Sequence, residues 1–437
     1  MLFFKTTPDR YYLNGIDWVM AALNNLNKKH TTIGNHSQLV LVLKGLLDKK
    51  WLAHRLEEYL SNCRFLKGKT KRAWHLAPYW KPEPANFDSK NLRFFNISSN
   101  NREKLDSTIQ TCAKTPFEND RTVLSFDLIH FNSRSYVIMR FDHKMFDARG
   151  AESLLERILD HNTFQTKLLL PVQKAQLDSW KSRFLSGQCI NRFLRSIYNS
   201  KKEVASLCHP EKSKFLHTFF VNNFSEDKSL LIDKNSFNKA GYLMNGIYSL
   251  SCAAKAFDLL FQKHKQNSSM LIPINVDVRG TKFDNLKIFF NNVSFMLFDT
   301  QQGLSISEHI KSLKNQFIDQ VKNKIPFHFI NASLLMRIMP LKLLSSFMEF
   351  RMEKNRCSFS FSYISEQAFF LKHVQNLEVI NLFHMPLVPV SPGIGVFFTK
   401  FNNRLNMIIS SFDNKLNKQD GNFLKEKIIS GLINEQV

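Results

Sequence analysis

RFDHKMFDARGAESLL, from Arg140 to Leu155, holds the one HxxxD spacing in the chain, His143 and Asp147, between two different hydrophobic rhythms. Ahead of it Val137, Met139 and Phe141 recur at the period of two that marks one face of a strand, which places His143 at the end of that apolar face. Behind it Ala151, Leu154, Leu155, Ile158 and Leu159 recur at spacings of three and four, the inner stripe of a helix from Ala148 to Leu159. The stretch therefore predicts a strand, a short loop and a helix, with the His143 imidazole pointing inward. Asp142 falls on the opposite face with Arg140, where a surface ion pair accounts for it. Asp147 stands just before the helix, where a carboxylate reads equally as an N-cap or as a group that shapes a site. An isolated histidine at the end of a buried strand is as a rule a satisfied core residue.

Outward from this stretch, the chain alternates strands and helices. Val123 to Phe131 and Tyr136 to Phe141 form an antiparallel hairpin joined by Asn132, Ser133 and Arg134. Gln38 to Lys44 reads as a strand, and Asp48 opens a helix with Trp51, Leu52, Leu56, Tyr59 and Leu60 on one face. From Gln165 to about Ser213 the chain is polar and basic, as a crossover between lobes would be. The second half repeats the mixture, with strands near Phe215 to Val221, Met270 to Val276, Val293 to Phe298, Ser358 to Ile364 and Val396 to Phe401. Helices are expected near Ile247 to His264, Ser305 to Lys322 and Gln419 to Leu432. Asn402 and Asn403 occupy a tight hairpin turn.

Length bounds the architecture, because hydrophobic cores stop growing at about 250 to 300 residues and this chain has 437. Two lobes are expected, residues 1–190 and residues 191–437, with a cleft between them. Hydrophobic residues make up 43% of the chain and charged ones 22%, which excludes disorder as the default. The 41 Phe read as compositional bias more than as a function. A net charge of +23 favours anionic partners, among them anionic lipid, an acidic protein or nucleic acid. The densest basic run, Lys67, Lys69, Lys71 and Arg72, lacks interleaved stacking aromatics, so it reads as a solvated loop and disfavours nucleic acid. The six cysteines form no CxxC pair, which gives neither a zinc site nor a disulfide framework and suits a reducing compartment. No run is apolar enough to span a bilayer and none at the start reads as a signal peptide; the expected location is cytoplasmic, with peripheral contact to an anionic membrane open.

In this setting the chain resembles the CoA-dependent acyltransferase superfamily, which includes chloramphenicol acetyltransferase, plant BAHD acyltransferases, wax ester synthases and the condensation domains of peptide synthetases. His143 matches the superfamily's motif histidine, Asp147 its aspartate, and Ala148 stands where glycine is usual; Asp142 stands in place of the first histidine of the doubled form. LIPINVDVRG, Leu271 to Gly280, resembles the superfamily's PVNxR strand and is followed by Asn291 and Asn292. SFSFSYISE, Ser358 to Glu366, resembles the strand that leads to the cross-lobe contact, and Ser391 to Asp413 its late hairpin. The DFGWG motif of BAHD and condensation enzymes is absent, which favours a wax-ester-synthase-like or separate branch.

The resemblance implies a mixed α/β (α+β) fold of two similar lobes, each a mostly antiparallel or mixed sheet flanked by helices, with the active site in the interlobe tunnel. It implies acyl transfer from a thioester to an alcohol or amine, with His143 as general base. The other readings are a free-standing condensation-like enzyme that joins carrier-bound substrates, and a non-catalytic homologue that binds anionic partners. Asp147 is expected to pair with an arginine, Arg279 or Arg64, of which Arg279 is preferred. Asn292, Ser362 and Tyr363 are candidate binding or structural residues, the last two as donors to an oxyanion. No metal and no tightly bound cofactor is implied; acyl-CoA or a phosphopantetheine-linked acyl thioester enters as co-substrate, so CoA phosphates or an acyl carrier protein join the anionic partners.

Overall fold

The structure, a computed structural model, describes residues 10–31, 33–84, 92–98, 101–160, 179–199, 203–207, 215–279, 288–354, 357–365 and 367–433. Of the expected crossover, residues 165–178, 200–202 and 208–213 lie outside the described residues, as do Gly280 and Glu366 at the ends of two quoted segments; the rest of it includes the helix Trp180–Asn199.

Two six-stranded mixed sheets and one of three strands form among the described residues. The hairpin builds the middle of the first sheet: Leu124–Phe131 and Arg134–Asp142 pair antiparallel through a turn in which Asn132 and Ser133 both take positive φ, 47° and 55°. His36–Lys44 pairs with Arg134–Asp142 on the other side, with Ser37 opposite Phe141, Leu39 opposite Met139 and Leu41 opposite Val137. These residues share one face of the sheet, against which the helix Ala148–Leu159 lays Ala151, Leu154, Leu155 and Ile158, all fully buried.

The opposite face is covered too. Leu105 and Ile109 of the helix Arg102–Ala113 pack there with Val40, Val42, Ile129 and Ile138. This cover corrects the reading of Asp142 and Arg140 as a surface pair. Arg140, 2% exposed, reaches Asp127 at 3.6 Å, and Asp142, 6% exposed, pairs with Lys144 at 2.8 Å. The basic run of residues 67 to 72 is likewise more than a solvated loop, since Gly68–Arg72 is a strand of the small sheet. Lys69 pairs with Glu83 at 2.7 Å, and the Arg72 guanidinium donates to the carbonyls of Ile338 and Met339.

The second sheet runs Val293–Thr300, Met270–Asp277, Ser360–Ile364, Ile394–Phe401, Arg404–Phe412 and His217–Asn223. Its hairpin turns at Asn402 and Asn403, again both at positive φ. The helices Asn245–Lys263, Ile306–Lys322 and Lys418–Ile433 flank it, and Ser305 and Glu308 close a reciprocal capping box at the start of the second.

Two exchanges tie the halves together. Leu377–Pro386, from the second half of the chain, is a strand of the first sheet and pairs antiparallel with His36–Lys44. Its Asn381 forms a reciprocal amide pair with Asn406 of the second sheet, at 2.8 and 3.1 Å. In addition, Ile288, Phe289 and Phe290, just ahead of Val293–Thr300, are buried in the first core, with the Phe289 ring centroid 4.2 Å from that of Phe65. Among the described residues no helix is long and apolar enough to cross a membrane.

Candidate active site

A cavity of about 490 Å³ opens between the two sheets. Its wall takes Ser37, Phe141, His143 and Asp147 from one side and Asn275, Arg279, Ser362, Tyr363 and Phe397 from the other. His143 is half-buried in that wall at the end of the strand face carrying Val137, Met139 and Phe141.

The backbone around His143 is held from both sides. Its N–H donates to the Asn35 carbonyl at 3.2 Å, and its own carbonyl accepts from Asn291 Nδ2 at 2.8 Å. The ring edge stands against Phe141, centroids 6.3 Å apart, and Nδ1 is buried without a hydrogen-bond partner among the described residues.

Asp147 combines the two roles that its position allowed. It caps the helix, accepting from Gly150 N–H at 2.9 Å, and it also takes both bonds from one guanidinium nitrogen of Arg279, at 2.7 and 2.9 Å. A fourth bond comes from the backbone N–H of Asn292 at 2.8 Å. At 2% exposure the carboxylate is out of water, and these four bonds are what make its charge tolerable there. Burial works against the Arg279 cation, but Asp147 and then Asp277 outweigh it and raise the guanidinium above its ordinary range. Arg64 instead sits exposed at the start of the short helical turn Arg64–Leu66, and the ion-pair partner of Asp147 among the described residues is Arg279.

The alanine at 148 has no backbone consequence. It is the first residue of the helix and is absent from the positive-φ positions, so the conformational freedom of glycine is not used there. The demand for glycine falls two residues later: a Cβ on Gly150 would lie 2.2 Å from the Ile288 carbonyl oxygen. That close approach lets the segment carrying Asn291 and Asn292 dock beside the motif loop, where the Phe290 N–H donates to the Met145 carbonyl at 2.7 Å.

Asp17 was not found by sequence reasoning, and Asn291 was named only as following the PVNxR-like strand, with no role given to it. Asp17 is fully buried and accepts from the Asn291 backbone at 2.8 Å and its side chain at 2.9 Å, so a carboxylate from the first helix holds the residue that holds the His143 carbonyl. Burial pushes Asp17 up to about 7 against those hydrogen bonds. The capping box of Asn14 and Asp17, N-x-x-D before an apolar run, was the available signal, but it points to a helix start and not to a site.

Ser362 and Tyr363 both reach the cavity wall. The Tyr363 ring packs on Phe398 at 5.9 Å and against the second core, and burial, then the charge of Asp233, raises its hydroxyl above the tyrosine range. Asn292 contributes its backbone, while its side chain bonds the Phe290 carbonyl at 3.3 Å.

No protein-family model matches the chain, and no curated protein matches it in sequence. Solved structures do match its fold along nearly its whole length. The first condensation domain of the calcium-dependent antibiotic synthetase, in complex with a substrate analogue, is 12% identical with a TM-score of 0.68, covering 98% of this chain and 96% of that one. Trichothecene 15-O-acetyltransferase TRI3 from Fusarium sporotrichioides is 13% identical with a TM-score of 0.68, over 97% and 94%. The starter condensation domain of rhizomide synthetase RzmA, as a double mutant in complex with C8-CoA and Leu-SNAC, is 9% identical with a TM-score of 0.66, over 97% and 94%. The chain thus shares its two-lobed mixed α/β fold with these condensation domains and this acetyltransferase, and its HxxxD loop lines the cavity between the two large sheets.

Proposed function

We propose that the protein is an acyltransferase that moves an acyl group from a thioester, acyl-CoA or an acylated carrier protein, to an alcohol or amine. The observation that carries this reading is His143 on the wall of a cavity shared by the two sheets, its loop pinned by the four hydrogen bonds to Asp147.

A neutral imidazole at this place takes the proton of the acceptor O–H or N–H as its heteroatom attacks the thioester carbonyl carbon. The tetrahedral oxyanion collapses, the C–S bond breaks, and the imidazolium returns the proton to the leaving thiolate; the products are the ester or amide and the free thiol. No covalent enzyme intermediate is required. Asp147 and Arg279 act as positioning residues, because their charges are satisfied by each other and by backbone. Ser362 is our choice as donor to the oxyanion, since Tyr363 is engaged with Phe398 and the second core; losing one such donor costs about 100-fold to 1,000-fold in rate.

The test offers acyl-CoAs and acylated carrier proteins separately, with mixed alcohol and amine acceptors, and follows the acylated product by mass. Product from carrier-bound donors alone assigns the condensation-like reading, and binding of anionic partners without any product assigns the non-catalytic one.

A further inference from the structure

The wall of the same cavity holds a second histidine that acyl transfer at His143 does not use. The exchanged strand Leu377–Pro386 places Leu382 opposite Leu41, His384 opposite Leu39 and Pro386 opposite Ser37. His384 therefore interrupts an otherwise apolar row of the sheet face that leads to His143. From the facing helix, Glu152 projects among Ala151, Leu154 and Leu155, all fully buried.

The two polar side chains meet. His384 Nε2 is 2.7 Å from Glu152 Oε1, and the other carboxylate oxygen accepts from the Ala368 N–H. Both residues are 3% exposed. Both oxygens of Glu152 thus have a donor, but the His384 Nδ1 is buried with no partner among the described residues, and His384 lines the cavity. An unpartnered buried polar atom costs about 1–3 kcal/mol, which a chain tolerates where a ligand supplies the partner.

The chemistry of that partner follows from the pair. Nε2 faces a carboxylate and so carries the proton, which leaves Nδ1 as a lone-pair acceptor. We propose that His384, oriented by Glu152, is a second recognition site of the cavity, for a hydroxyl or amino group that a substrate carries away from its reacting carbon. The proposal rests on the acyl-transfer reading of the cavity, and the group can belong either to the acyl chain of the donor or to the acceptor.

Equilibrium binding by calorimetry, with one substrate at a time so that no turnover occurs, tests it. One arm compares octanoyl-CoA with hydroxyoctanoyl-CoAs whose hydroxyl moves carbon by carbon along the chain; the other compares alkanols with diols and amino alcohols. In one arm a single isomer binds about tenfold tighter than its plain parent, the worth of one well-placed hydrogen bond. His384→Leu erases that advantage and leaves the plain ligand's affinity in place. In Glu152→Gln the amide NH₂ faces Nε2 and the proton moves to Nδ1. The matching ketone, which only accepts and which the wild-type Nδ1 lone pair cannot hold, therefore gains affinity, while the hydroxyl ligand, which can also accept, is still bound. Equal affinities across both arms, an advantage that survives His384→Leu, or a loss shared equally by all ligands overturns the proposal. Absence of binding by every acyl-CoA and every acceptor overturns the acyl-transfer reading together with it.

Discussion

Alanine at 148 and glycine at 150 exchange the expected roles. The sequence marks Ala148 as a departure from the superfamily's HxxxDG, yet the position is helical and needs no glycine; the steric demand sits at Gly150, against the Ile288 carbonyl. A motif read as a string cannot show which backbone approaches it, and Ile288 is far away along the chain. Ala148→Gly is expected to lower stability by only about 0.5–1 kcal/mol, the ordinary helix cost of glycine. Gly150→Ala is expected to displace the docked segment, melt several degrees lower and release thiol about 100-fold more slowly, since misplacement of a site by about an ångström costs that much. Melting curves and initial rates for the two variants check this, and equal behaviour contradicts it. His143, Asp147 and Arg279 stand out in the sequence through motif and spacing, and Asn291 is visible there without its role; Asp17, Glu152 and His384 are not, because their partners come together only in three dimensions.

Among the elements, strands and helices with a clear period appear close to their expected bounds, including Ala148–Leu159 and the turns at Asn132 and Asn402. The exchanged strand Leu377–Pro386 escaped notice because LEVINLFHMP is buried on both faces toward its end and so does not alternate. The same double burial governs how the elements respond to acid. His36 and His309 are held down to about 4 and His217 to about 3, in each case chiefly by burial. Each lies below its ordinary value of 6.5, so each contributes stability that is present above pH 6.5 and lost as pH falls toward the folded value. The slope approaches about 1.4 kcal/mol per pH unit for each proton taken up on unfolding. Asp17, raised to about 7, acts in the opposite sense: its contribution is present below its ordinary 3.8 and lost as pH rises through 7. Three histidines outweigh one carboxyl, so urea midpoints are expected to fall between pH 6.5 and 4. His36→Gln, whose amide can still donate to the Ala113 carbonyl, should flatten that fall by about one proton's worth. An unchanged slope in the variant contradicts the assignment.

At the scale of the molecule, the mixed composition and length point to two lobes, and the two large sheets have that form. A division of the chain near residue 190 stays a proposal about folding units; that position lies within the helix Trp180–Asn199. Fragments test it. Residues 1–190 lack Leu377–Pro386, which leaves the apolar strand His36–Lys44 as a bare edge, and such edges template aggregation. Fragment 1–190 is expected to aggregate alone and to become soluble when co-expressed with fragment 191–437; a soluble, folded monomer of 1–190 contradicts it.

The central claim is that His143 drives acyl transfer from a thioester. The most direct measurement is the rate of free-thiol release and acylated product formation from an acyl-thioester panel, wild type against His143→Ala at matched folded concentration. The account predicts thiol and product in equal amounts from the wild type and a loss of about 100-fold to 10,000-fold in the variant, the usual worth of a general base. Thiol and product formed at the same rate by both proteins, or by neither with any donor, contradicts it.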